Sequence, residues 1–81
     1  MVSWTRIAGS RAVRAVGLEV PEGGFGGDGG HVRIHVQFRR GKTYVYDVGN
    51  RAYFDRFVSA ASKGRFYVYV IKQRFDYVAK Y

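Results

Sequence analysis

The sequence predicts an α+β fold: a small antiparallel β-sheet of about three strands packed against one main helix, followed by a short C-terminal helix or strand. Three observations carry this. Residues 31–39, HVRIHVQFR, alternate strictly between apolar and polar side chains, the period of a strand with one buried face. A second apolar stretch, Thr43–Val48, follows directly after Arg40-Gly41, so the two form a hairpin. From Tyr53 to Ala61, apolar residues recur at the spacing of a helix stripe.

The elements follow in order along one 81-residue domain. Residues 1–10 have weak pattern and read as an irregular lead-in, with Trp4 packing back onto the domain. Residues 12–20 alternate loosely, with Val16, Leu18 and Val20 on one side, and read as a strand. Residues 21–30, PEGGFGGDGG, contain six glycines and read as a flexible connection, because ordering so many glycines costs much backbone entropy. A phosphate-binding loop needs a helix after it and a Gly-Lys-Ser/Thr ending. Here a strand follows and that ending is absent.

The hairpin turn decides where Tyr44 and Tyr46 point. A two-residue Arg40-Gly41 turn would pair Gln37 with Tyr44 and place both tyrosines on the wet face beside Arg33 and Arg39, as a basic aromatic platform. Such turns want positive φ at both central residues, which suits Arg poorly. A three-residue loop, Arg39-Arg40-Gly41, needs positive φ only at its last position, where glycine stands. That register pairs Val36 with Tyr44 and Ile34 with Tyr46, turns both rings toward the core, and is the favoured reading. Asn50 then suits a helix N-cap. Tyr53, Phe54, Phe57, Val58 and Ala61 form the buried stripe, and Gly64 closes the helix. Lys63 complements the negative end of the helix dipole. Residues 65–81 suit either a doubly buried strand or a helix, with local propensity favouring strand.

The motifs of the second half resemble the KTSC domain. This short module is named for its place at the C-terminus of some lysyl-tRNA synthetases, and it also stands alone in small bacterial and phage proteins. The residues that carry the likeness are Phe38-Arg39-Arg40-Gly41, Tyr44-Val45-Tyr46, Tyr53-Phe54, Ala60-Ala61-Ser62-Lys63-Gly64, Phe66-Tyr67 and Ile71-Lys72. Where the family has Val-Pro before its helix this chain has Val48-Gly49-Asn50, and where the family has Asn after its aromatic pair this chain has Val68-Tyr69. The resemblance implies a small antiparallel sheet against helix, with a second short helix near Phe66–Gln73, and makes the glycine loop an insertion. It also implies RNA as a candidate ligand, through the module's place on a synthetase.

Charge narrows the function. Fourteen Lys/Arg against six Asp/Glu give a net charge of +8, which favours polyanionic partners by long-range attraction. Residues 1–41 hold six basic and three acidic groups, and residues 42–81 hold eight and three, so the charge is not one basic tail. There is no cysteine, which excludes a disulfide framework and a thiolate metal site. His31 and His35 share a strand face without an evident third ligand and read as solvent-facing polar residues, so no metal or cofactor is expected. No Ser/His or paired-carboxylate arrangement argues for catalysis, and the expected protein is not an enzyme.

The leading expectation is a basic module that binds RNA or other nucleic acid. Arg33, Arg39, Arg40, Lys42, Arg51, Lys63, Arg65, Lys72 and Arg74 would meet phosphates, and Tyr67, Tyr69, Phe75, Tyr77 or Tyr81 would stack on unpaired bases. The alternatives are a protein-interaction module docking on an acidic surface, such as a phage-encoded inhibitor of a host protein, and a sponge for a phosphorylated nucleotide. No Lys-rimmed amphipathic helix stands out, so no membrane partner is expected. No apolar run near the N-terminus is long enough for a signal peptide or a span, so a soluble cytoplasmic protein is expected.

Overall fold

The computed structural model describes residues 2–20 and 32–81. The expected glycine-rich connection, Phe25 and His31 lie outside the described residues. Among the described residues five strands form one antiparallel sheet: β1 (Val2–Arg6), β2 (Val13–Glu19), β3 (Val32–Phe38), β4 (Thr43–Gly49) and β5 (Tyr77–Lys80). They lie side by side in chain order. Between β4 and β5 the chain forms α1 (Ala52–Ser59) and then a second helical segment over 63–74. The expected α+β class is correct. The sheet has five strands where about three were expected, and the C-terminal stretch supplies both a helix and a strand.

The β3–β4 hairpin takes the register that turn chemistry favours. Val36 faces Tyr44 and Ile34 faces Tyr46. The loop Arg39-Arg40-Gly41 is closed by the Phe38 amide donating to the Lys42 carbonyl at 2.8 Å and the Gly41 amide donating to the Phe38 carbonyl at 2.9 Å. Gly41 has φ +100°, a conformation that side chains resist. Strand alternation then sends Val32, Ile34, Val36, Tyr46 and Val48 to one face, where they meet Val16 and Leu18 of β2. Phe54 and Phe57 of α1 and Ile71 of the second helix cover that face.

Helix boundaries differ from expectation at both ends of α1. Arg51, not Asn50, takes the N-cap position, and Asn50 stands one residue earlier, its Oδ1 accepting from the Ala52 amide at 2.8 Å. The helix ends at Ser59, not at Gly64, because Ala60 is extended (φ −66°, ψ 138°). Ser62 is also extended, and its hydroxyl accepts from the Arg65 amide, so it caps the start of the next helix. Gly64 is inside that helix. Ala61 falls outside the buried stripe and is exposed.

The first ten residues are not an irregular lead-in. Val2–Arg6 pairs with β2 as an edge strand. Its position depends on Gly17, where a Cβ would come within 2.5 Å of Val2 Cγ1 and 3.2 Å of the Trp4 ring. The missing side chain lets Trp4 lie across β2 and reach His35 on β3, edge to face at 5.9 Å. His35 is therefore buried, not solvent-facing, and its Nε2 lies 2.8 Å from Glu19 Oε1. That bond holds the Glu19 carboxyl below its ordinary pKa, with the charges of His35 and Arg33 adding to the effect against partial desolvation.

Candidate functional site

At the hairpin-tip end of the sheet, the second helix and β5 leave a cavity of about 590 Å³. Its walls are aromatic. Phe38 and Tyr67 meet edge to face at 4.9 Å, and Tyr44 and Tyr77 do so at 5.1 Å. Phe75 completes the wall and is steadied from behind by Tyr53 of α1 at 5.1 Å. Edge-to-face rings fix one another's orientation while leaving a flat face free. Tyr46 lines the inner part, where its hydroxyl lies 2.5 Å from that of Tyr67. Burial, and then this bond, push the Tyr46 phenol above its ordinary pKa, so it stays neutral and keeps its proton for hydrogen bonding. Arg40, Lys42 and Lys72 bring positive charge to the lining, and Asp76 brings a single carboxylate.

Three local features assemble these groups. The three-residue turn places Arg40 and Lys42 on either side of Gly41. The core-facing register sends Tyr44 and Tyr46 under the helix, and beyond the helix's reach Tyr44 borders the cavity. The third feature is a π-helical turn, Tyr67–Ile71, in which the Lys72 amide bonds to the Tyr67 carbonyl. Bonds between residues five apart set Lys72 above Tyr67. A regular α-helix would carry Lys72 about 140° around the axis from Tyr67, at 3.6 residues per turn. The wide turn is what lets the ring and the ammonium share one cavity.

The expected site residues divide. Arg40, Lys42, Lys72, Tyr67, Phe75 and Tyr77 come together around the cavity. Arg39 does not: its guanidinium donates to the carbonyls of Ser10 at 2.6 Å and Ile7 at 3.4 Å, tying the hairpin tip to the β1–β2 loop. Lys63 donates to the Ala60 carbonyl just past the end of α1, and it opens the second helix where it was expected near the close of the first. Arg51 lies 3.7 Å from Asp55. Arg33 lies between Glu19 and Asp47 in the sheet register, on the face away from the cavity. Arg65 and Arg74 are exposed and Tyr69 and Tyr81 are largely exposed, none of them lining the cavity. Sequence reasoning missed Phe38 and Asp76 as cavity residues. It took Tyr44 and Tyr46 as core alone, and they are both core and wall. The Tyr-x-Tyr pair next to Lys42 was the available signal.

An antiparallel sheet with helix on one face and a tyrosine-rich, basic cavity at the hairpin tip defines a small α+β module. This chain belongs to the KTSC domain family, whose model matches residues 28–75. That stretch contains eight of the ten cavity residues, leaving only Asp76 and Tyr77 beyond it. The solved structure of a KTSC domain protein from Yersinia pestis is similar, with a TM-score of 0.72 at 27% identity, covering 100% of this chain and 96% of that one. No curated protein matches the chain. Among the described residues no helix is long and apolar enough to cross a membrane, and no group of three or more His, Asp or Glu side chains is placed to hold a metal ion.

Proposed function

We propose that this domain is a basic, non-enzymatic module that binds single-stranded nucleic acid, RNA in particular, in the cytoplasm. The observation that carries the reading is the convergence of Arg40, Lys42 and Lys72 on an aromatic-walled cavity. The cavity's volume of about 590 Å³ lies in the range of small-ligand sites and suits one base with its sugar. Unpaired bases are bound by stacking on aromatic faces while cations follow the backbone. Tyr77, 53% exposed, offers the cavity's most accessible ring, and the three cations would meet the phosphates on either side of a seated base. The Tyr46–Tyr67 hydroxyl pair has one proton beyond the one it shares, available to a polar edge of the ligand.

Fluorescence anisotropy with a short unstructured RNA at low salt tests this. Wild type binds, and Tyr77→Ala weakens binding roughly tenfold, within the usual worth of one base–aromatic stack. Tyr69→Ala, on a ring away from the cavity, leaves binding unchanged. Absence of binding to any single strand at low salt refutes the reading.

A further inference from the structure

Asp76 is out of place in a site that only gathers phosphate. Its carboxylate lines the same cavity as Arg40, Lys42 and Lys72. The ion pairs among the described residues are His35–Glu19 and Arg51–Asp55, so none of those three cations neutralises it. Among the described residues no hydrogen-bond donor engages its side chain either. An unneutralised carboxylate repels a phosphate and reduces the value of the cations near it. It becomes useful when the ligand presents hydrogen-bond donors.

We infer that the cavity selects guanine, with the Asp76 carboxylate accepting from the base's N1–H and N2 amine. This rests on the reading of the cavity as a base site. A carboxylate offers two acceptor oxygens side by side, and guanine is the one common base whose pairing edge carries two adjacent donors. Adenine and cytosine each set a ring-nitrogen acceptor beside their amine, and that lone pair faces a carboxylate oxygen. Uracil has a single N3–H between two carbonyls. The carboxylate–cytosine pairing known in duplex grooves uses only the exocyclic amine, because the rest of the edge is occupied by the partner base. The opposite side of guanine fits as well. Its O6 and N7 are the acceptors that lysine and arginine read most often, and Lys72 lines the cavity from the last turn of the helix, four residues before Asp76. One carboxylate and a cation within one aromatic cavity thus match both polar edges of a single base.

The test compares uridine-rich RNAs carrying one guanosine, one adenosine, one cytidine or none, by anisotropy, with guanosine, inosine, adenosine, cytidine and uridine monophosphates compared by thermal shift. Guanosine is preferred about tenfold in RNA, and guanosine monophosphate gives the largest thermal shift. Inosine, which lacks the N2 amine, shifts less than guanosine. In Asp76→Asn, which replaces one acceptor by a donor, the guanosine preference disappears while affinity for the guanosine-free RNA stays or rises. Asp76 is exposed, so neither this variant nor Asp76→Ala threatens folding. Equal affinity for all four RNAs overturns the inference while leaving nucleic-acid binding standing, as does a preference that survives in both variants. Selective stabilisation by guanosine monophosphate with no RNA binding supports guanine selection and overturns the strand-binding reading. No response to any RNA or nucleotide overturns both.

Discussion

At the scale of single residues, the pair of His35 and Glu19 ties β3 to β2 on the face away from the core. Trp4 crosses Gly17 to cover His35, and the covered imidazole then needs a partner, which Glu19 supplies at 2.8 Å. The Glu19 carboxyl is held below its ordinary value of 4.5 by that bond. A carboxyl whose pKa is lower folded than unfolded stabilises the fold above its ordinary pKa, and that contribution is lost as pH falls through the folded value. Glu19→Gln keeps the size and a hydrogen-bonding oxygen but removes the charge. The variant is therefore less stable than wild type at neutral pH, and the difference shrinks as pH drops below 4.5. Urea midpoints followed through Trp4 fluorescence across this range show it. A constant difference at every pH refutes the assignment. Residue chemistry alone did not reveal this pair, because strand alternation correctly placed His35 opposite the core face but could not show that the Trp4 ring covers it there.

At the scale of elements, what was legible depended on how local each signal was. The hairpin register followed from one glycine at one φ, and the structure keeps it. The capping serine was in view as well, yet Ala60-Ala61-Ser62 read as the tail of α1 when Ser62 opens the next helix. β1 was illegible, because Val2 and Trp4 alternate with Ser3 and Thr5 over only four residues and its pairing depends on a glycine far along the chain. The segment after Gly64 was the hardest. Tyr, Val and Ile there favour a strand by propensity, but burying Ile71 among Phe54, Phe57 and the sheet requires a helix. The π-helical turn adds a residue to that helix, and such turns often mark functional sites. The exposed Val68 is inside it. Deleting Val68 brings Tyr67 and Lys72 to a four-residue separation, and they still share a face in a regular α-helix. This variant keeps helical circular dichroism, cooperative unfolding and RNA affinity. Deleting Gln73 instead turns Phe75 by about 100° relative to Lys72 and abolishes binding. If both deletions behave alike, the turn does not set the cavity's phase.

At the scale of the whole molecule, the charge of +8 is spread along the whole chain, but its members have different tasks. Arg39 and Lys63 are held by backbone carbonyls, Arg51 by Asp55, and Arg56 lies 5.8 Å from the Phe66 ring centroid. The cavity cations are Arg40, Lys42 and Lys72. A long-range field depends on all of these charges, whereas counterion release counts only those that neutralise a phosphate. The two contributions separate in the salt dependence of binding. For a single strand each neutralised phosphate adds about 0.7 to the steepness of log K against log salt. Replacing Lys42 and Lys72 together with glutamine therefore lowers the slope by about 1.4, two phosphates' worth. Replacing Arg33 and Arg74 with glutamine changes the net charge equally but touches no cavity residue. That variant keeps the wild-type slope and loses only the modest affinity that the weaker field accounts for. Equal slope changes in the two double variants would mean that the strand lies on the molecule without a preferred track, and that the cavity is not its seat.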